Sequence, residues 1–465
     1  MPTSLLDVQL EKILAKDKEF LEQTEFPIVT VSSTFREELK EFHGNLDKDL
    51  HANDLNRDIV LSRAHFSMAF GTAVQAWLHK NPSPSRTNKL PKHTNLPSFA
   101  HPESAWLVDP INYVSSSKFP KIAFTETIGK IIARNPLLKT VKGLIDKYGR
   151  SKLPISDAIT PPLLHLFQSV EQPIISFHIE SGNKLAAIGK KIVQVVTDPH
   201  VREDYLLHAD LSNIKFCVFD EKTRADFFEK AALHGKTVDP ERVIVTGPPV
   251  DPRIISARRH KNPEQLYHRP LRVLVTTGGL GTNKQEIELI LHELFDFLRQ
   301  RPSPLQILCY GGTHHDFTEL VQKIAREERV AIEPLDHIYA KFRLIHGKHI
   351  MDVNELLLHF GFPWADCVIT KPSGDMAYDA AAAGCSLLFL SPWGEWEENI
   401  QEVFEQLGVG RKAEVSHIKD QFSILTKRVF DRESWFEEAQ KNALTIPKLF
   451  LNGSANILRV AKEWK

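Results

Sequence analysis

Cysteine is scarce in this chain: four residues in 465, at Cys217, Cys309, Cys367 and Cys385. They lie far apart in apolar runs such as KFCVF and QILCY, with no CxxC and no Cys/His zinc spacing. A disulfide scaffold and a zinc module are excluded, and buried, reduced thiols are expected. A charge of one sign is lacking too. The 58 Lys+Arg balance 59 Asp+Glu, so a general nucleic-acid coating role is excluded. No apolar run approaches the ~18 residues a membrane span requires. The stretch MPTSLLDVQLEKILAKDKEF carries acids and has no continuous apolar core, so a secretory signal is not expected. Glycine, at 22, is outnumbered by 28 prolines, and neither is high enough for a fibrous chain.

What is present is an ordinary apolar fraction of 42%, arranged as short runs between amphipathic stretches. Residues 5–21 repeat apolar side chains at helical spacing. A strand, PIVTVS, is expected next, then a charged helix near 34–50. DIVLSRAHFSMAFGTAVQAW reads as strand, tight turn and helix. Residues 80–104 read as a long loop. AWLVDP, PIISFH, KIVQVVTD, IKFCVF and RVIVTG then alternate with helices. Near-continuous apolar runs suit strands buried on both faces, and the alternation predicts parallel α/β sheets.

Residues 248–270 hold five prolines and many charges, the best boundary in the chain. Beyond it the alternation restarts: RVLVTTGG, a helix near 284–300, LQILCYGG, a helix near 315–327, ADCVITK, a helix near 374–384, and SLLFLSP. The expected division is 1–57 as an N-terminal extension, 58–253 as one α/β domain, 254–270 as linker, 271–440 as a second α/β domain, and 441–465 as a C-terminal helix folding back on the first.

Five strand ends are candidates to carry chemistry. In ADCVITKPSGDMAYDAAAAG a buried strand reaches Lys371 and turns through Ser373 and Gly374 into a helix of small residues. Unpaired N–H groups at such a helix start suit a diphosphate, and Asp379, one turn on, suits ribose hydroxyls. The other reading is a tightly packed crossover with Ser373 as N-cap. VTTGGLGTN places Gly278, Gly279, Gly281 and Thr282 after a strand, where main-chain N–H groups can approach phosphate. It is neither a full GxGxxG nor a Walker A loop. His65 follows a strand end and is a candidate general base, or a helix-start packing residue. Asp198 and His200 in VVTDPH are candidate acceptor contacts, or a turn around Pro199. Glu398 and Asn399, beside Trp393 and Trp396 in SPWGEWEEN, are candidate donor contacts, or a solvated helix start. His314 and His315 are adjacent, which does not suit one metal ion, and no metal site is expected.

Together these stretches resemble GT-B glycosyltransferases, most closely the branch with monogalactosyldiacylglycerol synthases, diacylglycerol glucosyltransferases and the lipid II-forming N-acetylglucosaminyltransferase. TKPSGDMAYDAAAAG is similar to that branch's donor signature, with Asp379 at the acidic position. VTTGGLGTN is similar to its glycine turn, and SRAHFSMA to its histidine loop. The likeness covers roughly residues 174–410. Ser62-Arg63-Ala64 stands where glycines are usual, and Asp375 where a small neutral residue is usual. The resemblance implies two Rossmann-like domains facing a cleft. It implies an inverting, metal-independent transferase with a UDP-sugar co-substrate, no other cofactor, and no nucleic-acid partner. Alternatives are a nucleotide-sugar epimerase and a silent scaffold on the same fold. The implied location is cytoplasmic, peripheral on the inner face of the membrane. Residues 118–152 hold seven Lys and two Arg against one Glu and one Asp, so 9 − 2 = +7. With interleaved apolar residues they are a candidate contact for an anionic membrane beside a lipid acceptor.

Overall fold

The computed structural model describes residues 5–36, 57–79, 96–115, 118–134, 154–278 and 281–464. Two compact units emerge. One comprises Met1–Asp251 with Asn452–Lys465, the other Pro252–Leu451. Each is built on a six-stranded sheet whose neighbours all pair in parallel. The α/β class with two Rossmann-like parallel sheets is therefore the architecture of this chain.

The first sheet contains β1 (Phe26–Val29), β2 (Ala105–Val108), β3 (Ile174–Ser176), β4 (Ile192–Val195), β5 (Ile214–Val218) and β6 (Val243–Val245), in the order β2-β1-β3-β4-β5-β6. The second contains β7 (Leu271–Thr276), β8 (Leu305–Gly312), β9 (Phe342–His346), β10 (Cys367–Thr370), β11 (Ser386–Phe389) and β12 (Gly410–Lys412). Its order, β12-β11-β10-β7-β8-β9, is the doubly wound 3-2-1-4-5-6 arrangement. The reason lies in the sequence. CVIT and SLLF are buried at every position, so each strand needs cover on both faces, which crossover helices provide. The Lys284–Arg299 helix supplies part of it, burying Ile287, Ile290, Leu291, Leu294 and Phe295. Each such side chain contributes about 1.5–3 kcal/mol when fully buried. All four cysteines are buried and free.

The division differs from the sequence expectation in several places. β1 is no extension: it sits inside the first sheet between β2 and β3. DIVLS forms no strand. It makes one antiparallel bridge, Val60 to Ser33, and its Ile59 and Leu61 pack on a small satellite core. That core uses up the apolar pattern which reads as a strand. The segment expected as linker is docked on the second unit. The Arg258 guanidinium donates to the Ala382 carbonyl, and Lys261 Nζ donates to the Phe362 carbonyl at 2.6 Å. β9 and β12 are not expected from sequence; FRLIH and GRK are too short and too charged to read as buried strands.

The last segment holds two helices. Trp435–Leu444 belongs to the second unit, and Gly453–Glu463 to the first. The second packs on the Arg63–His79 helix. Ser454 Oγ and Asn456 Nδ2 donate to the Val250 and Thr246 carbonyls, each at 2.8 Å. Any Cβ on Gly453 would collide with the Pro248 carbonyl, so only glycine permits that approach.

The candidate helix near 34–50 and the loop 80–104 fall largely outside the described residues, as do 135–152 of the basic segment. Its Phe119–Arg134 helix is described. There Ile122 is fully buried against Ile111, Val114 and Ile159, while Phe124 is exposed. Lys130 pairs with Glu126 at 2.7 Å. No helix among the described residues is long and apolar enough to cross a membrane.

Candidate functional site

Open α/β sheets bind ligands outside the carboxyl ends of their strands, where the strand order reverses. In the second sheet that point lies between β7 and β10, which are paired neighbours. The turns after these two strands touch. A Cβ on Gly278, after β7, would lie 2.8 Å from Lys371 Cε, after β10, and 2.7 Å from Thr282 Oγ1. Gly281 has φ +68° and Asn283 has φ +61°, so the turn folds tightly, with the Gly281 N–H donating to the Gly278 carbonyl at 2.8 Å. Gly279 lies outside the described residues. The hydroxyls of Thr276, Thr277 and Thr282 are buried here with no hydrogen-bond partner among the described residues. Buried hydroxyls are ordinarily satisfied, and three orphans around one turn could accept a polar ligand.

Charge at this turn is arranged against an easy anion site. The Lys371 ammonium is held by the Glu397 carboxylate, itself almost fully buried. Glu397 also accepts the Trp393 N–H at 2.7 Å. Ser373 Oγ accepts the Met376 N–H at 3.3 Å and donates to Asp375 Oδ1 at 2.7 Å, while Asp375 holds the N-cap position of the short Met376–Ala382 helix. Ser373 is thus engaged within the turn without being the N-cap. Gly374 lies in this turn, between Ser373 and Asp375. Asp379 is 2% exposed and begins the row of small residues. Glu398 is exposed; the carboxylate turned into the site is its neighbour Glu397. Helical spacing could have found it, because Glu397, Ile400 and Phe404 form the buried face of the Glu395–Gln406 helix. Asn399, half-buried, is one residue off that face.

In the first sheet the order reverses between β1 and β3. His65 lies in the first turn of the Arg63–His79 helix. Its Nε2 is 3.2 Å from Thr197 Oγ1, at the end of β4, and its ring meets that of His178, after β3, edge-on with centroids 6.0 Å apart. Tyr205 accepts the Thr197 N–H at 3.3 Å, and burial pushes its phenol above the ordinary value. Thr197 and His178 are not foreseen from sequence. Asp198, which is, pairs instead with Arg202 at 3.1 Å. The His200 N–H closes the turn on the Asp198 carbonyl at 2.8 Å, so the turn reading describes this stretch.

A buried carboxyl positions His65 from a distance. Asp109, at the end of β2, accepts from the Ser32 N–H at 2.6 Å, the Ser32 hydroxyl at 2.9 Å, the Ser33 N–H at 2.9 Å and the Ile111 N–H at 3.0 Å. Ser32 in turn accepts the N–H groups of Leu61 and Ser62, which lead into the histidine's helix. Burial pushes the Asp109 carboxyl up to about 7, against the pull of those N–H donors.

No family model matches the chain, and no curated protein matches it significantly. Solved structures do match by shape. MurG from Acinetobacter baumannii is 13% identical, covering 94% of this chain and 99% of its own, with TM-score 0.46. A glycosyltransferase from Rickettsia africae is 11% identical over 95% and 98%, with TM-score 0.42. UDP-GlcNAc 2-epimerase from Neisseria meningitidis, solved with UDP-GlcNAc, is 13% identical over 67% and 81%, with TM-score 0.43.

Proposed function

We propose that the chain is a nucleotide-sugar enzyme, and within that class an inverting, metal-independent glycosyltransferase using a UDP-sugar. The observation that carries this reading is the pair of touching turns at the switch point of the second sheet, with buried threonine hydroxyls lacking partners. Glycine amides and those hydroxyls would hold the diphosphate. The Lys371 ammonium would offset charge developing on the leaving oxygen once it exchanges Glu397 for phosphate. Asp379 would receive the ribose. His65 would take the proton of an acceptor hydroxyl as that oxygen bonds the anomeric carbon and the carbon–diphosphate bond breaks. Asp198 and His200, folded into their own turn, are left outside this mechanism, and Thr197 takes their place beside His65.

The acceptor is proposed to be a lipid hydroxyl, reached at an anionic membrane surface through residues 118–152. A second reading, a nucleotide-sugar epimerase, is favoured by one observation: His65 has a second imidazole, His178, beside it, which suits paired acid and base work. Incubating the protein with a panel of UDP-sugars, with and without lipid extract, tests both. Acceptor-dependent release of UDP with a new glycoside supports transfer. An epimeric UDP-sugar formed without acceptor supports the second reading. No turnover, with UDP binding intact, overturns both in favour of a silent sugar-binding protein.

A further inference from the structure

The opposite, amino edge of the second sheet gathers positive charge with no anion assigned to it. Arg272 is the second residue of β7 and Arg343 the second of β9. The pairings Arg272 with Gln306 and Leu308 with Arg343 place both side chains on one face of the sheet. Arg343 is 1% exposed, and its guanidinium lies 4.4 Å from the centroid of the Trp364 ring. One of its nitrogens, Nη1, donates to the Leu335 carbonyl at 2.7 Å. Arg343 Nε and Nη2, Arg272 Nε and Trp364 Nε1 are buried without an acceptor among the described residues.

All four orphaned atoms are donors, and the three guanidinium nitrogens belong to groups that stay charged at any ordinary pH. Nearby acids are shared with other donors, although Asp366 lends counter-charge to Arg272 and Glu333 to Arg343. Asp366 binds Arg269 at 2.5 and 2.9 Å and the Arg272 N–H at 3.0 Å. Glu333 accepts the Lys341 N–H at 3.1 Å. Burial, and after it the repulsion from Arg272, depress the Arg343 guanidinium to about 10, with Glu333 opposing them in part. Native structures rarely bury several donors with nothing to receive them.

We propose that these donors form a binding site for an oxyanion of the phosphate class, at the amino edge of β7 and β9 and separate from the glycine turn. A guanidinium fork, a second guanidinium and an indole N–H approach from three side chains. That set suits a tetrahedral anion with three or more acceptor oxygens better than a planar carboxylate with two. The cover is Pro334–Ala340, an irregular segment whose Leu335 carbonyl holds Arg343 and whose Tyr339 stands 82% exposed. Admitting the ion requires this segment to shift, while the strands that carry the arginines stay in place.

The test is calorimetric titration of the full chain with inorganic phosphate at constant ionic strength, with malonate as the planar comparison. The variants are Arg343→Met, Arg272→Gln and Gly278→Val. Saturable phosphate binding in the unaltered chain and in Gly278→Val, weakened at least ~10-fold in Arg343→Met, is the expected result. Arg272→Gln, at a half-buried position, gives the same answer should Arg343→Met fail to fold. Binding lost in Gly278→Val but kept in the arginine variants would place the anion at the other edge and overturn the proposal. No saturable binding, or malonate binding as tightly as phosphate, also overturns it, leaving Arg343 as a strut stacked on Trp364.

Discussion

At the switch point of the first sheet the groups within reach are side chains: the His65 imidazole, the Thr197 hydroxyl and the His178 ring. At the switch point of the second they are turns of backbone, with an ion pair behind them. Both sheets are parallel, six-stranded and closed over by helices. The difference lies in the segments that leave the carboxyl ends of the strands. In the first unit a half-buried titratable ring is held by a hydroxyl, an arrangement suited to moving a proton. In the second, glycine keeps side chains away, an arrangement suited to gripping an anion. Under the proposed function the two ends would divide the labour of a displacement reaction, and mutations at the two ends should then fail in different ways.

The largest effect is expected at the first end. His65→Ala should lower turnover of the active UDP-sugar by roughly 10²–10⁴-fold, the usual worth of a general base. Affinity for UDP should change less than about twofold, because binding belongs to the other unit. Turnover and calorimetry on one preparation decide it. Equal loss of affinity and rate would erase the distinction between the ends.

Gly278→Val tests the second end. The new side chain would meet Lys371 and Thr282 at 2.7–2.9 Å. A lysine stem can usually swing aside, but this one is anchored by Glu397. A branched side chain blocks the close approach of backbone to a diphosphate, so UDP affinity should fall roughly 10–100-fold, beyond the about 1–3 kcal/mol of stability that overpacking of this kind costs. A variant that melts early and still binds UDP would make the turn a packing device only.

Glu397→Gln should act in the opposite direction. The amide can still accept the Trp393 N–H, but it no longer holds the ammonium as an ion pair. Freed, Lys371 should bind diphosphate about 3–10-fold more tightly, a gain of roughly 1 kcal/mol. Weaker binding would mean that the ion pair serves to aim the lysine and does not restrain it.

The same contrast explains how much is legible in the sequence. Buried strands such as CVIT and SLLF declare the sheets, because an unbroken apolar run has no solvent face. Gly278, Lys371 and His65 are legible because they stand at strand ends, where sheets bind ligands. Thr197 is hidden behind Asp198. Both stand at the end of β4, and no pattern shows that Arg202 claims the acid and leaves the hydroxyl to His65. Glu397 is hidden behind Glu398, because charge draws attention before helical phase does. β9 is obscured because Arg343 interrupts its apolar run. Asp109 gives no signal, since its Ser33 partner lies 76 residues away in the chain and Ser32 one further.

The smallest effect expected concerns two buried carboxyls that their surroundings shift in opposite directions. Asp109, in the first unit, has N–H and hydroxyl donors but no paired cation among the described residues, and burial raises it. Glu437, in the second, completes a capping box with Ser434 and binds Arg428. Burial pushes Glu437 up, but Arg428 and the Ser434 N–H and hydroxyl more than offset this, bringing it to about 2. A carboxyl lowered in the folded state stabilises above its unfolded value near 4.5, and that contribution is lost as pH falls toward 2. Arg428 stands half in water, so screening reduces the pair to about 1 kcal/mol. Glu437→Gln should therefore lower stability by about that much at pH 7, and the gap to the unaltered chain should begin to close below pH 4.5. Urea unfolding at pH 7, 4.5 and 3.5 measures it. A gap that stays constant over this range would assign the loss to packing at the helix start, which no titration alters, and would leave the carboxylate's bonds to Arg428 and Ser434 contributing nothing.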